Sequence, residues 1–94
     1  MFFVYIIFSA KTDSFYVGQT DDLPNRIIEH NTKAYQHAST AKANDWELFH
    51  SIECKSRAQA IAIEKHIKRM KNKKYYQSLK TYPEIEAKLK LTYQ

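Results

Sequence analysis

The chain opens with the stretch FFVYIIFSAKTDSFYVGQ, residues 2–19, and this stretch decides the fold. Residues 2–8 are β-branched and aromatic without alternation, which is typical of a strand covered on both faces. Residues 9–14 are polar or small and form a turn cluster, and residues 15–19 have the composition of a second short strand. The pattern predicts an antiparallel hairpin. In it Gly18, the only glycine of the chain, permits either an unusual backbone conformation or a close approach of another group.

A helix and a third strand are predicted after the hairpin. Residues 20–22 offer N-cap side chains and Pro24 suits a first helical turn, so the helix runs to about Asn31. Residues 32–45 are polar and predict a long loop, and residues 46–54 alternate well enough for a strand. The side chains expected to face the core are Leu23, Ile27 and Ile28 in the helix, and Trp46, Leu48, His50, Ile52 and Cys54 in the strand.

The rest of the chain predicts three helices. Residues 56–59 form a capping box that opens the longest helix, which fades near Asn72. A short helix is expected over residues 75–80, and residues 81–84 have the cap, proline and acidic residue that open a last helix. The inward side chains at helical spacing are Ala60, Ile63, Ile67 and Met70 in the longest helix, and Ile85, Leu89 and Leu91 in the last.

The predicted order of elements is therefore β-β-α-β-α-α-α. This order favours an α+β fold, in which a small three-stranded antiparallel sheet is flanked by helices. A chain of 94 residues that is 44% hydrophobic can fill one core. We therefore expect a single domain over residues 1–94.

Basic residues are concentrated in the second half of the chain. Residues 1–54 carry four Lys or Arg and seven Asp or Glu, whereas residues 55–94 carry eleven and three. A basic surface of this kind is the usual footprint for a polyanion. A solvated lysine-rich helix has the same composition, so the charge alone leaves both interpretations open.

The sequence predicts neither a zinc site nor a membrane segment. Cys54 is the only cysteine, and no Cys/His cluster has zinc spacing. The apolar start is too short to span a bilayer and lacks the features of a signal peptide. We therefore expect a soluble cytoplasmic protein without a membrane partner, in which Cys54 is a buried apolar filler.

Two tyrosines and an Arg–His pair are the first candidates for chemistry. Tyr5 and Tyr16 lie on adjacent strands of the predicted hairpin, and Arg26 and His30 share a helix face because they are four residues apart. A guanidinium binds phosphate oxygens through two parallel hydrogen bonds, and imidazole and phenol transfer protons. Each residue alone has a structural explanation, as a packed aromatic or a solvated ion. The order and spacing together predict a phosphodiester-cleaving site.

Glu64 is the only acidic residue between Cys54 and Pro83, and it lies at the border of the apolar stripe of the longest helix. It forms either an i,i+4 ion pair with Lys68 or a single-carboxylate Mg²⁺ site whose other ligands are water and phosphate. The basic residues that surround it are candidates for contacts with a nucleic-acid backbone: Lys65, Lys68, Arg69, Lys71, Lys73 and Lys74.

These residues together resemble the GIY-YIG endonuclease family, and the chain is similar in size to its small stand-alone bacterial members. Residues 4–6 (VYI) stand where the family has its first tripeptide, and residues 16–18 (YVG) where it has the second. Arg26 and His30 match the family's helix pair, and Glu64 matches its metal-ligand glutamate. The resemblance covers about residues 2–72, which leaves residues 73–94 as C-terminal helices.

The resemblance implies a three-stranded antiparallel sheet, one divalent metal, Mg²⁺ or Mn²⁺, and hydrolysis of a DNA phosphodiester by activated water. Tyr5 or Tyr16 would help to activate the water, with His30 as a second donor or proton-transfer group. Arg26 would stabilise the charge that develops on the phosphoryl oxygens, and Glu64 would hold the metal.

The chain departs from the family pattern at two points. Phe3-Val4 replaces Gly-Ile in the first motif and introduces a bulky aromatic, whereas Val17 for Ile is conservative and Gly18 is kept as a structural residue at the site. Many members have an asparagine downstream of the glutamate. Here only Asn72 is available, eight residues after Glu64 and closer than the family pattern leads us to expect.

We therefore predict a metal-dependent DNA endonuclease. Branched, flapped or damaged DNA in repair or recombination is the substrate class that the family implies. The alternative is a nucleic-acid-binding module that no longer cleaves, which needs the basic helix but neither Arg26 nor Glu64. A third interpretation is a small adaptor that docks on a larger repair or recombination protein.

Overall fold

The computed structural model describes residues 1–32 and 42–94, and it confirms the predicted α+β fold and the predicted order of its elements. The strands are β1 (Phe2–Ser9), β2 (Ser14–Thr20) and β3 (Glu47–Cys54), and the helices are α1 (Leu23–Asn31), α2 (Arg57–Met70), α3 (Lys73–Thr81) and α4 (Pro83–Thr92). Most of the loop predicted over residues 32–45 lies outside the described residues.

β1 is the central strand of an antiparallel sheet with the order β2-β1-β3. Its residues from Val4 to Ile7 are all buried, which confirms that both faces of the strand are covered. Successive side chains of a strand point to opposite faces. Val4 and Ile6 therefore belong to one hydrophobic cluster, and Tyr5 and Ile7 belong to another.

Different helices cover the two faces of the sheet. The face that carries Tyr5 and Ile7 packs against α1 through Leu23 and Ile27, and we call it the α1 face. The opposite face packs against α2, α3 and α4, and the buried residues that these helices contribute are Ala60, Ile63, Ile67, Leu79 and Leu89. The alternation of side chains along β1 therefore decides which of them can contact α1.

The alternation predicted for the third strand is wrong over its first half. The pairing of β3 with β1 shifts at a bulge, so that His50 lies opposite Ile6 and Leu48 opposite Ile7. An extra residue at a bulge exchanges the two faces for everything that precedes it. Leu48 therefore lies on the same face as Ile7, where it is 45% exposed. Trp46 precedes the strand and packs on the α1 face, whereas Ile52 and Cys54 belong to the opposite core as predicted.

Besides Leu48, three residues predicted to face the core are exposed: Ile28, Met70 and Leu91. In α1 the inward position at the C-terminal end is taken by His30, which is 2% exposed, and Ile28 lies two residues away on the other side of the helix. In α4 the inward pair is Ile85 and Leu89, and Leu91 likewise lies two residues beyond it. Met70 is the last residue of α2.

The segment that enters β3 is held to the end of α1. The side chain of Asn31 accepts a hydrogen bond from the Trp46 backbone N–H at 2.6 Å and donates one to the Trp46 carbonyl at 2.9 Å. Asp45 accepts hydrogen bonds from the Ser9 hydroxyl and the Lys11 N–H at the β1–β2 turn. These contacts place Trp46 in the buried cluster of the α1 face that also contains Tyr5 and Ile7. None of the helices in the described ranges is long and apolar enough to cross a bilayer.

Candidate active site

A buried hydrogen bond joins Tyr5 of β1 to His30 of α1. The Tyr5 hydroxyl lies 2.8 Å from His30 Nε2, and the two residues are 1% and 2% exposed. The alternation of side chains along β1 directs Tyr5 toward α1. His30 is buried on the inward side of that helix, one turn after Ile27. Because both polar groups are removed from water, the hydrogen bond between them also satisfies groups that would otherwise be costly to bury.

Gly18 makes room for the Tyr5 ring. It lies opposite Tyr5 in the β1–β2 ladder, and a Cβ atom at this position would stand 2.6 Å from Tyr5 Cζ and 3.0 Å from Cε1. No glycine has a positive φ. Of the two roles that the sequence allows for Gly18, the structure therefore supports the close approach, because the phenol lies directly over the glycine backbone.

Tyr16 of β2 completes an aromatic group on the α1 face. Its ring centroid lies 6.4 Å from that of Tyr5 and 5.1 Å from that of His30, with tilted geometry in both cases. Unlike Tyr5 and His30, Tyr16 is only partly buried. We call Tyr5, Tyr16 and His30 the Tyr–His cluster, and Tyr16 is the member that solvent reaches.

Glu64 is connected to the Tyr–His cluster through Lys68. The Lys68 ammonium lies 3.2 Å from a carboxylate oxygen of Glu64, one helical turn away, and 5.8 Å from the centroid of the Tyr16 ring. β2 is an edge strand, which is why a side chain of α2 reaches a residue on the α1 face. The Glu64 side chain is 17% exposed. The sequence predicted this ion pair as one of two alternatives, but it gave no sign of the contact with Tyr16.

Arg26 lies on α1, one turn before His30. Its Nε is 3.3 Å from a carboxylate oxygen of Glu29, and about a third of each side chain is exposed. Burial lowers the pKa of His30 below its ordinary value of 6.5, and the positive charge of Arg26 lowers it further, while Glu29 opposes the shift. His30 is therefore neutral at neutral pH and can accept a proton.

The residues around Glu64 fit a magnesium-type ion better than a zinc-type ion. Among the described residues no group of three or more His, Cys, Asp or Glu side chains could enclose a metal. A single, mostly buried carboxylate that already attracts a cation, the Lys68 ammonium, suits Mg²⁺ or Mn²⁺, which keep several water ligands and bind phosphate oxygens. A bound ion of this kind would polarise a phosphate and lower the pKa of its water.

The remaining predicted residues differ in their surroundings. The Asn72 side chain accepts a hydrogen bond from the Lys74 N–H at 2.8 Å and caps the N-terminus of α3. Lys73 forms an exposed ion pair with Asp13 of the β1–β2 turn. The basic residues predicted to contact nucleic acid are all exposed, on the second half of α2, between α2 and α3, or at the start of α3: Lys65, Lys68, Arg69, Lys71, Lys73 and Lys74.

The fold and these residues define a class: a small α+β domain with two tyrosines on its β-hairpin and a mostly buried carboxylate on its longest helix. A family model described as the GIY-YIG catalytic domain matches residues 1–77. The chain therefore belongs to the GIY-YIG family, a family of nuclease domains. No curated protein and no solved structure is significantly similar to it.

Replacing Gly18 with alanine tests the close approach. We expect Gly18→Ala to lower the free energy of unfolding by about 1–3 kcal/mol, because the new methyl group overlaps the Tyr5 ring. Denaturation in urea measures this change. In a Tyr5→Leu background the overlapping ring atoms are gone, so the same substitution should cost clearly less. An equal cost in both backgrounds would show that the ring does not impose the glycine.

The pKa of His30 can be measured by NMR titration of its ring. We expect a value below 6.5 and a rise in the pKa in Arg26→Met, because Arg26 lowers it. The unfolded chain then takes up a proton near pH 6.5 that the folded protein does not. The free energy of unfolding should therefore fall as the pH drops below about 7, and less steeply in His30→Gln. A His30 pKa at or above 6.5 would contradict this picture.

Proposed function

We propose that the protein is a divalent-metal-dependent endonuclease that hydrolyses DNA phosphodiester bonds. The proposal is based mainly on the arrangement of two groups at one edge of the sheet. The buried Tyr5–His30 hydrogen bond lies next to Tyr16, and Tyr16 is connected through Lys68 to the Glu64 carboxylate of α2. Membership of a nuclease family supports the reaction class. The metal, Mg²⁺ or Mn²⁺, would bind at the single carboxylate of Glu64.

Burial suggests different roles for the two tyrosines. Tyr5 is 1% exposed, so it cannot face a water molecule on the substrate, whereas Tyr16 can. In the proposed reaction Tyr16 orients the attacking water, and the neutral imidazole of His30 is the final acceptor of its proton. Because Tyr5 is closed to solvent, the proton would move in a relay: Tyr16 would accept it from the water while giving its own hydroxyl proton to Tyr5, whose ring lies beside it. Tyr5 would in turn give its hydroxyl proton to His30 Nε2 through the 2.8 Å hydrogen bond.

Arg26 and Glu64 would act on the phosphate. The Arg26 guanidinium is partly exposed and pairs with Glu29 through its Nε, and its planar fork of donors suits phosphoryl oxygens. A metal held by Glu64 would stabilise the same developing charge. Asn72 is the least supported member of the predicted set, because its side-chain oxygen already caps α3.

The substrate class and partners are inferred from family and size. A chain of 94 residues has little surface with which to read a base sequence. We therefore propose that DNA structure, such as a branch or flap formed in repair or recombination, directs cleavage. A larger repair or recombination protein is a candidate partner, and the cytoplasm is the expected location.

The alternative function is a nucleic-acid-binding module without catalysis. The exposed basic residues of α2 and α3 support binding in either case, whereas a binding module has no need for a buried histidine that is hydrogen-bonded to a tyrosine. The Tyr–His cluster favours the endonuclease.

Cleavage of labelled single-stranded, duplex, flapped and four-way-junction DNA in the presence of Mg²⁺ or Mn²⁺ tests the proposal. We expect Glu64→Gln and Arg26→Ala each to lower the cleavage rate about 100-fold or more, because each removes stabilisation of the transition-state charge. Glu84→Gln, a matched change at an exposed position of α4, should leave the rate unchanged. Binding without cleavage by the wild type, unaffected by Glu64→Gln, would favour the binding module.

The salt dependence of DNA binding tests the basic residues separately from catalysis. We expect the Lys65→Gln, Arg69→Gln double variant to make the negative slope of log affinity against log salt concentration less steep. The magnitude of the slope should decrease by about 0.9 for each phosphate of duplex DNA that the variant no longer neutralises. Lys88→Gln, on the exposed side of α4, is the control that removes one positive charge elsewhere on the surface. Equal slopes for the double variant and the wild type would place the DNA on another surface.

A further inference from the structure

Lys68 has two contacts that a lysine serving only as a surface charge would not need. Its ammonium is 3.2 Å from the Glu64 carboxylate and 5.8 Å from the Tyr16 ring centroid. The first contact joins it to the proposed metal ligand, and the second is a cation–π interaction with the phenol that faces solvent. A single cation therefore contacts both the carboxylate and the aromatic side of the site.

The position of this ammonium is where a divalent ion would also be attracted. Glu64 is mostly buried, and it is the only acidic residue on the segment from Lys55 to Pro83. A cation that neutralises it stabilises the folded protein in the absence of metal. The Lys68 side chain is 49% exposed, so the pair is weak and its ammonium can move into solvent at little cost to itself. The Glu64 charge left behind would then be compensated by the metal ion that replaces the ammonium.

We infer that the Lys68 ammonium occupies the site in the absence of metal. It holds the Glu64 carboxylate there and must release it before a divalent metal binds. The inference rests on the proposed function, because it takes Glu64 as the metal ligand. Lys68 thus lowers the affinity of the free protein for metal, since the metal must displace an ammonium that is tethered one helical turn away.

The displaced ammonium has a second use. It remains on the same face of α2 as Glu64, at the spacing of one helical turn, and so stays within reach of a phosphate bound to the metal. A phosphate that attracts Lys68 weakens its hold on Glu64, and metal bound at Glu64 frees Lys68 for the phosphate. Metal and DNA would therefore bind with positive coupling, and Lys68 would be a positioning residue for both.

Mn²⁺ binding, measured without nucleic acid by the EPR signal of the free ion at low ionic strength, tests the inference. We expect Lys68→Met to bind Mn²⁺ about three- to fivefold more tightly than the wild type, the scale of a partly exposed ion pair. Lys68→Arg should stay close to the wild type, because a guanidinium also pairs with Glu64. Lys65→Met removes the same charge from a nearby exposed position and reports the general effect of charge on Mn²⁺ affinity.

Single-turnover cleavage at saturating Mn²⁺ is the second readout. We expect Lys68→Met to bind Mn²⁺ more tightly and yet cleave about tenfold more slowly, with Lys68→Arg retaining most of the rate. A lysine with only a structural or only a DNA-binding role would not produce these opposite changes. Circular dichroism checks folding, and methionine keeps the helix propensity of lysine.

The possible results separate this inference from the proposed function. If wild-type Mn²⁺ binding depends on Glu64 and Lys68→Met changes the affinity no more than Lys65→Met, the role of Lys68 is overturned while the metal site stands. If Glu64→Gln binds Mn²⁺ as the wild type does, both the proposed metal ligand and the inference are overturned. Tighter binding confined to Lys68→Met, with slower cleavage, supports both.

Discussion

The close contact between the Tyr5 ring and the backbone of Gly18 is the constraint on which the rest of the site depends. β1 is buried on both faces, so Tyr5 cannot turn away from the α1 face without moving to the other core. The missing side chain at Gly18 lets the ring lie across β2, and from there the hydroxyl reaches His30. The same contact also brings Tyr16, two residues before Gly18 on β2, alongside both rings. One packing requirement thus orders three of the proposed catalytic side chains.

The charged side chains of the site are held more loosely than the aromatic ones. Arg26 pairs with Glu29, and Glu64 pairs with Lys68, each within one helical turn and each with at least one partner that is a third or more exposed. Ion pairs of this kind contribute little to stability, about 0–1 kcal/mol. They neutralise the charges of the free protein and are easily exchanged for a metal ion and a phosphate. The site therefore combines a buried proton acceptor, His30, with two ion pairs that can be broken. This combination suits a charged substrate such as a phosphodiester.

Much of this arrangement could be predicted from the sequence. The unbroken apolar run of residues 2–8 indicates a doubly buried strand, and the single glycine marks either a turn-like backbone or a close approach, which the structure resolves. The spacing of Arg26 and His30 places them on one helix. The bulge in β3 could not be predicted because it depends on pairing with β1, and it moves Trp46 to the α1 face. The Lys68–Tyr16 contact joins α2, which packs on one face of the sheet, to a side chain on the other face of the edge strand β2. The spacing of residues within one helix or strand cannot predict such a contact.

A crystal structure of the protein with Mn²⁺, read by anomalous scattering, tests the central claim most directly. The account predicts one strong anomalous peak at coordination distance from the Glu64 carboxylate, on the side of the Tyr–His cluster, with the Lys68 ammonium no longer bound to Glu64. A peak at another pair, such as His50 and Glu86, with the Glu64–Lys68 ion pair intact, would contradict it.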